Sequence, residues 1–204
     1  MQLLIDTDAF CKLAVGGVLE EAVGFFGLKL ADCGRLPALP HMLRRGKLRK
    51  MLGERASDAL SLRAEEVPVM AQPTDNWLAA LTAVDAIDPG EAQLFALAAE
   101  AGLIVFSGDK RALRAIKNVP DIMEHLSGKV VVLEAVLIAL CDEMGPDVVR
   151  ERIGPLAAID TAVRVCFSSG NPRPQDALLS YYRHLQGEIA PVSLWAPPRI
   201  EANP

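Results

Sequence analysis

Three acidic residues stand where strand ends and a helix start would bring their side chains together. Asp6 directly follows the apolar run 2–5. Asp109 comes shortly after a second apolar run, 103–106, and Glu91 opens a stretch with helical periodicity. If both runs are buried parallel strands, their carboxyl ends lie at one edge of the sheet, where open α/β folds build their sites. Three carboxylates there would suit Mg²⁺ or Mn²⁺, so the spacing predicts metal-dependent phosphodiester chemistry.

Several polar neighbours of these acids are candidates for supporting roles. Asp8 is the best candidate for a fourth metal ligand, and capping of the first helix explains it equally well. The hydroxyls of Thr7 and Ser107 are close enough in sequence to orient metal-bound water. Lys110 and Arg111 are candidates for contact with a phosphate oxygen, although both also suit the start of a helix.

A basic segment interrupts a chain whose formal net charge is −5. Six of the 21 basic residues fall between positions 44 and 55, and such a patch can attract a phosphate backbone despite an acidic whole. Arg44, Arg45 and Lys47 are the candidates for RNA contact. A solvated helix face explains the same pattern and is slightly favoured.

Composition favours a packed chain without membrane spans. Hydrophobic residues make up 51% and charged residues 23%, which is ample for a core. The longest apolar stretch, 130–141, is interrupted by Glu134 and is too short to cross a bilayer. No basic region precedes an apolar one at the start, and the four cysteines lack a metal or redox spacing. We therefore expect a cytoplasmic protein.

Short runs rich in Val and Ile alternate with helical patterns up to about residue 145, which predicts an α/β fold with a parallel sheet. The Gly/Pro region 34–40 predicts a turn. Beyond residue 145 the strand signal disappears and we expect helices at 147–153, 156–167 and 174–185, then an irregular tail from Pro191. We therefore predict an α/β domain at 1–145 and a helical C-terminal extension at 146–204 packed on that core.

Motifs for other chemistries are missing from the sequence. It contains no GxSxG nucleophile elbow, no Walker phosphate loop, no GxGxxG after the first strand and no HExxH zinc motif. The three histidines, His41, His125 and His184, are scattered singly. A carboxylate-based site is therefore the chemistry that the sequence favours.

Three segments resemble the motifs of PIN-domain proteins in order, spacing and flanking residues. They are LIDTD at 4–8, PGEA at 89–92 and FSGDKRAL at 106–113. Residues 128–140 are also similar to the closing strand and helix of that family. The resemblance covers about residues 1–145.

The resemblance implies a three-layer α/β/α sandwich with a central parallel sheet. It also implies a Mg²⁺- or Mn²⁺-dependent ribonuclease in which Asp6, Glu91 and Asp109 are catalytic and hold the ion. Family members often form dimers, and many small bacterial members are VapC-type toxins that an antitoxin protein neutralises. The chain departs from the pattern in having Lys110 and Arg111 where many members carry a further acid, and in its helical extension.

Three functions remain open from the sequence. The first is a metal-dependent ribonuclease, with the toxin of a toxin–antitoxin pair as one such role. The second is a catalytically degenerate PIN-like module that binds nucleic acid or protein. The third is an α/β hydrolase or phosphatase that uses the same acids on a small phosphate ester.

Overall fold

The chain folds around a four-stranded sheet in a computed structural model, which describes residues 2–45, 49–50 and 52–197. All three strand pairs are parallel, and the strand order is β2-β1-β3-β4. The strands are Leu3–Ile5 (β1), Cys33–Arg35 (β2), Ile104–Phe106 (β3) and Val130–Val131 (β4). The predicted α/β class with a parallel sheet is confirmed, and the helix-rich arrangement is consistent with three layers.

Helices connect the strands because a parallel pair needs a crossover between its members. In chain order, the α-helices whose full lengths are described are Thr7–Val15 (α1), Leu19–Gly24 (α2), Leu39–Leu43 (α3), Glu54–Glu65 (α4), Asp75–Thr82 (α5), Pro89–Ala101 (α6), Lys110–Ala115 (α7), Pro120–Leu126 (α8), Leu133–Met144 (α9), Pro146–Ile153 (α10), Thr161–Cys166 (α11) and Pro174–Ile189 (α12). Within the described residues 2–45, 49–50 and 52–197, no helix is long and apolar enough to cross a bilayer.

The interior strands are buried except at Ile104, the first residue of β3, which is half-buried. Leu3, Leu4 and Ile5 of β1 have no exposed surface, and neither do Val105 and Phe106 of β3. Side chains on both faces of such a strand point into protein, so the strand reads as a continuous apolar run. This is why the runs before Asp6 and Asp109 could be recognised in the sequence.

The turn predicted at 34–40 is wrong at its start, because Gly34 lies within strand β2. Leu4 of β1 pairs with Gly34, and Ile5 pairs with Arg35. The buried Arg35 side chain donates from Nε to Ala64 O at 2.7 Å and to Val67 O at 2.9 Å. Long-range pairing and these hydrogen bonds make 33–35 a strand although its residues have no strand pattern.

The tail predicted to be irregular from Pro191 joins the sheet edge. Leu194 forms a parallel bridge with Val130 of β4, and the Trp195 N–H donates to Val130 O at 2.8 Å. Gly128 N–H likewise donates to Ser193 O at 2.7 Å. The irregular-tail prediction is therefore wrong for 193–195, whereas 198–204 lie outside the described residues.

The predicted extension shares one apolar core with the α/β part. Leu178, Tyr182, Leu185 and Ile189 of α12 are buried in the same cluster as the strands, and α12 packs on α9. The helix predicted at 156–167 is instead a 3₁₀ turn followed by α11, with Asp160 as the N-cap. The domain boundary at residue 145 stays a prediction.

A candidate acidic site at the carboxyl edge of the sheet

An open cavity of about 1100 Å³ lies at the carboxyl ends of β1 and β3. The start of α6 and the turn before α11 complete its wall. The acidic residues that line it are Asp6, Asp8, Asp88, Glu91, Asp109 and Asp160. The three acids predicted from separate segments thus face one cavity, and Asp8 and Thr7 lie beside them.

Asp6 lies where β1 becomes α1. Its N–H donates to Phe106 O at 2.9 Å, which continues the pairing with β3. Its carboxylate caps α1, since Oδ1 accepts from the Thr7 N–H at 2.6 Å. Asp6 is only 8% exposed. Burial, together with the nearby carboxylates of Asp8 and Asp88, raises the pKa of Asp6 to about 6.

Glu91 is held at the start of α6 by a reciprocal cap with Asp88. The Asp88 N–H donates to Glu91 Oε2 at 2.7 Å, and Asp88 Oδ1 accepts from the Glu91 N–H at 2.9 Å. Burial, together with the carboxylates of Asp88 and Asp109, raises the pKa of Glu91 to about 8. Glu91 therefore binds a proton near neutral pH in the absence of another cation.

Asp109 follows β3 and caps α7. Its Oδ1 accepts from the Arg111 N–H at 2.7 Å and from the Ala112 N–H at 3.1 Å. The Arg111 side chain is exposed and its guanidinium lies 4.0 Å from Asp109 Oδ2. Of the two basic residues after Asp109, Arg111 therefore keeps a solvent-facing charge beside the cavity.

Asp8 lies in the first turn of α1 and packs against the turn after β3. A side-chain carbon at Gly108 would overlap Asp8 Oδ2, so glycine is needed for this close approach. The alternative that Asp8 caps the first helix is wrong, because Asp6 is the cap. Asp8 instead pairs with Lys12 one turn later, at 2.7 Å.

Lys12 and Asp160 are cavity residues that the sequence analysis missed. Lys12 Nζ lies 2.7 Å from Asp8 Oδ2 and 2.8 Å from Asp160 Oδ2. Burial disfavours the charged Lys12, but the two carboxylates outweigh it and hold its pKa above the ordinary value. The i,i+4 spacing of Asp8 and Lys12 was visible in the sequence. No local pattern links Asp160 to them.

Asp88 was also missed, although its signal was present. An Asp before Pro-Gly-Glu, with an acid three residues later, is the sequence signature of a capping box followed by a proline in the first turn. The structure contains that box at the start of α6. Asp88 thereby adds a carboxylate to the cavity wall next to Glu91.

Ser107 and Lys110 are the remaining polar candidates next to Asp109 in the sequence. Ser107 is buried, and its Oγ has no hydrogen-bond partner among the residues that the structure describes. It lines a second cavity of about 10 Å³ together with Lys12, Lys110 and Asp160. The Lys110 ammonium pairs with the buried carboxylate of Glu134 and lies 5.7 Å from the Tyr181 ring centre. The Lys110 side chain, which was predicted to contact phosphate, is therefore already paired with Glu134.

The basic segment begins directly after α3, whose Met42 lines the main cavity. Arg44 pairs with Glu65 at 2.9 Å on the exposed surface, and Arg45 is exposed. Lys47 lies outside the described residues. Arg44 and Arg45 are therefore on the surface near one side of the cavity.

The types of side chain at this edge favour a metal ion, whereas their spatial arrangement does not. Clustered carboxylate oxygens are the ligands that Mg²⁺ and Mn²⁺ prefer. Across 2–45, 49–50 and 52–197, however, no three His, Cys, Asp or Glu side chains are grouped so that they could hold a metal ion. Asp6, Glu91 and Asp109 accept helix-cap hydrogen bonds, and Asp8 binds Lys12. A divalent ion would have to compete with these partners.

No protein-family model, curated protein or solved structure matches the chain. Inferences about its function therefore depend on the residues and on the geometry of this cavity.

Proposed function

We propose that the protein is a PIN-like, metal-dependent ribonuclease that cleaves RNA phosphodiester bonds in the acidic cavity. The observation that supports this function best is the convergence of Asp6, Glu91 and Asp109 on one open cavity at the carboxyl edge of a parallel sheet. Burial and repulsion from neighbouring carboxylates raise the pKa of Asp6 to about 6 and that of Glu91 to about 8. A bound cation would relieve that repulsion.

In this proposal Asp6, Glu91 and Asp109 hold Mg²⁺ or Mn²⁺, and Asp8 contributes only if it separates from Lys12. When bound, such an ion would polarise a phosphoryl oxygen and supply a nucleophilic water at neutral pH. The Thr7 hydroxyl, on the cavity wall, would orient that water.

The surface next to α3 provides the proposed RNA path. Arg44 and Arg45 would attract the phosphate backbone electrostatically, and so would the exposed Arg111 near Asp109. The half-buried Lys110 would act indirectly, because its ammonium is paired with Glu134. These contributions should be sensitive to salt, since phosphate contacts release counterions.

The remaining parts of the proposal come from the resemblance rather than from contacts. They are a toxin role with an antitoxin partner, and a homodimer. A cytoplasmic location is also proposed, and four buried cysteines without a disulfide among the described residues are compatible with a reducing compartment.

The test is cleavage of a mixed single-stranded RNA pool by the purified protein. We expect cleavage with Mn²⁺, none with EDTA, and recovery when Mn²⁺ is restored in excess. Cleavage that persists in EDTA after exhaustive chelation would exclude the metal-dependent mechanism. Activity on small phosphate esters without RNA cleavage would instead identify a phosphatase.

The second candidate is a catalytically degenerate PIN-like module that binds nucleic acid or protein. Two observations favour it: Lys12 already neutralises Asp8 and Asp160, and the acids in the described ranges do not form a three-residue metal group. Calorimetric titration with Mn²⁺ separates the two functions. Absence of Mn²⁺ binding together with RNA binding in EDTA would support the module.

A further inference from the structure

Lys12 joins two distant parts of the chain inside the acidic cavity. It projects from α1, while Asp160 belongs to the turn before α11. The ammonium lies within 2.8 Å of a carboxylate oxygen on each side, and the Lys12 and Asp160 side chains are only 15% and 11% exposed. Charges at such low exposure are stable only when they are paired.

Asp160 holds that ammonium in a defined place. One carboxylate oxygen accepts from the Val163 N–H at 2.9 Å and caps α11. The other binds Lys12 at 2.8 Å. Lys12 favours the charged form of Asp160 and lowers its pKa despite burial, which would raise it. Both oxygens therefore have partners: the cap fixes the carboxylate relative to α11, and the ion pair with Lys12 links it to α1.

Of the two lysines that line the main cavity, Lys12 is the one that neutralises its acids. The ammonium of Lys110 pairs instead with Glu134, which is buried and does not line that cavity. Lys12 contacts Asp8, one of the acids beside Asp6. Its charge therefore occupies a position that an inorganic cation would otherwise take.

An unpaired buried hydroxyl is a second observation that indicates a ligand-binding position next to Lys12. Ser107 is 1% exposed, its Oγ has no partner within 2–45, 49–50 and 52–197, and it lines the small cavity that Lys12 and Asp160 also line. A volume of about 10 Å³ is at the lower limit for one water molecule. Buried hydroxyls are normally hydrogen-bonded, so a ligand near Lys12 would satisfy this one.

We propose that Lys12 is a built-in cation of the acidic site, positioned by Asp160 in the place of a divalent ion. This inference rests on the proposed function insofar as it treats the cavity as a cation site. The wild-type protein should then bind at most one divalent ion, at the Asp6 side. Removing the ammonium while keeping Asp8 and Asp160 should create a place for one more, with Ser107 nearby to bind its water.

The experiment is a Mn²⁺ titration by calorimetry of the wild-type protein and Lys12→Gln. Lys12→Gln should bind one Mn²⁺ more than the wild type, and Mn²⁺ should raise its melting temperature by more. Lys12→Arg keeps the positive charge and should gain no ion. Arg152→Gln is a matched control, because Arg152 also links the C-terminal part to the core by pairing with Glu21 at 2.6 Å, outside the cavity.

The number of ions separates this inference from the nuclease proposal. One ion in the wild type and two in Lys12→Gln would support both. None in the wild type and one in Lys12→Gln would contradict a metal-dependent nuclease but still support Lys12 as the built-in cation. Equal numbers in the two proteins would overturn the inference, and so would an extra ion in Lys12→Arg.

If Lys12→Gln misfolds, its refolding still tests whether a divalent ion can replace the ammonium. Removal of the ammonium leaves two carboxylates close together, so the variant can lose its fold without a cation. Refolding in Mn²⁺ should then restore native circular dichroism. Failure to refold in Mn²⁺, while the double variant Lys12→Gln/Asp160→Asn folds, would show that a divalent ion does not replace the ammonium. Failure of both variants would likewise contradict replacement.

Discussion

Asp88 and Glu91 each accept a hydrogen bond from the other's backbone N–H, at 2.9 Å and 2.7 Å. This capping box stabilises the start of α6 and also turns the Glu91 carboxyl group towards the cavity. Asp6 and Asp109 also have two roles, because they line the cavity and cap α1 and α7, respectively. Substitutions that probe their chemistry must therefore preserve the caps.

Glu91→Gln should keep the fold and lose cation binding. The glutamine carbonyl can still accept from the Asp88 N–H, and it resembles the protonated form of Glu91. Glu91→Ala removes the acceptor as well and should destabilise the protein by about 0.5–2 kcal/mol. Urea unfolding and Mn²⁺ titration of both variants measure the two effects. Equal destabilisation by Gln and Ala would contradict the cap.

The metal-free protein should lose stability as the pH rises. Folding raises the pKa of Asp6 from 3.8 to about 6 and that of Glu91 from 4.5 to about 8. The folded state then holds protons that the unfolded chain has released, so this stability is complete below about pH 4 and is lost as the pH passes through both folded values.

Denaturation in EDTA at several pH values, from about 5 to about 9, measures this dependence. Asp6→Asn should keep the cap on α1 and flatten the lower part of the decrease, because asparagine is also a good N-cap. At neutral pH the variant should be more stable than the wild type by roughly 2–3 kcal/mol. Wild-type stability that is constant or rises over this range would contradict the raised pKa values.

Gly108→Ala should disturb the acidic edge. The added methyl group would overlap Asp8 Oδ2 and push that carboxylate away from Lys12. We expect a loss of about 1–3 kcal/mol in unfolding free energy and slower RNA cleavage. Gly24→Ala is the control, since no atom lies within 4 Å of its added carbon. Equal behaviour of the two variants would rule out the close approach of Asp8.

Deletion of 146–204 should abolish cooperative folding. Helix α9 is buried along most of its length, and α12 covers part of it. The deletion also removes Asp160 from Lys12. Thermal unfolding followed by near-ultraviolet circular dichroism measures the effect. A deleted chain that melts cooperatively would instead show that 1–145 is an independent domain.

Leu185→Ala is a milder test of the same packing. Leu185 is 2% exposed in the core cluster that joins α12 to the sheet. The substitution should cost about 2–5 kcal/mol of unfolding free energy. Leu62→Ala, at an exposed leucine of α4, is the control and should change stability much less. A small effect at Leu185 would mean that α12 is loosely attached.

The elements that could be predicted from local sequence patterns are those that depend on local interactions and on burial. β1 and β3 read as apolar runs because they are buried on both faces, and the start of α6 has its own cap. The side chains that follow these elements could therefore be expected at one edge. The features that were missed depend on contacts between distant segments.

Strand β2 and Asp160 illustrate those missed contacts. Cys33–Arg35 is a strand because it pairs with β1 and because Arg35 donates to carbonyl groups at and just beyond the end of α4. Asp160 reaches Lys12 only after the C-terminal helices pack on the core. Neither relationship has a spacing that a reader of the sequence could recognise, since both arise from tertiary structure.

The most direct measurement of the central claim is the rate of Mn²⁺-dependent RNA cleavage by Asp6→Asn. Asp85→Asn is the matched control, because Asp85 is exposed and does not line the cavity. We expect Asp6→Asn to fold and to cleave RNA at least about 100-fold more slowly, because loss of even an outer-shell partner of a metal ligand costs about 10–100-fold. Asp85→Asn should cleave like the wild type. Wild-type rates in Asp6→Asn would contradict the proposed acidic metal site.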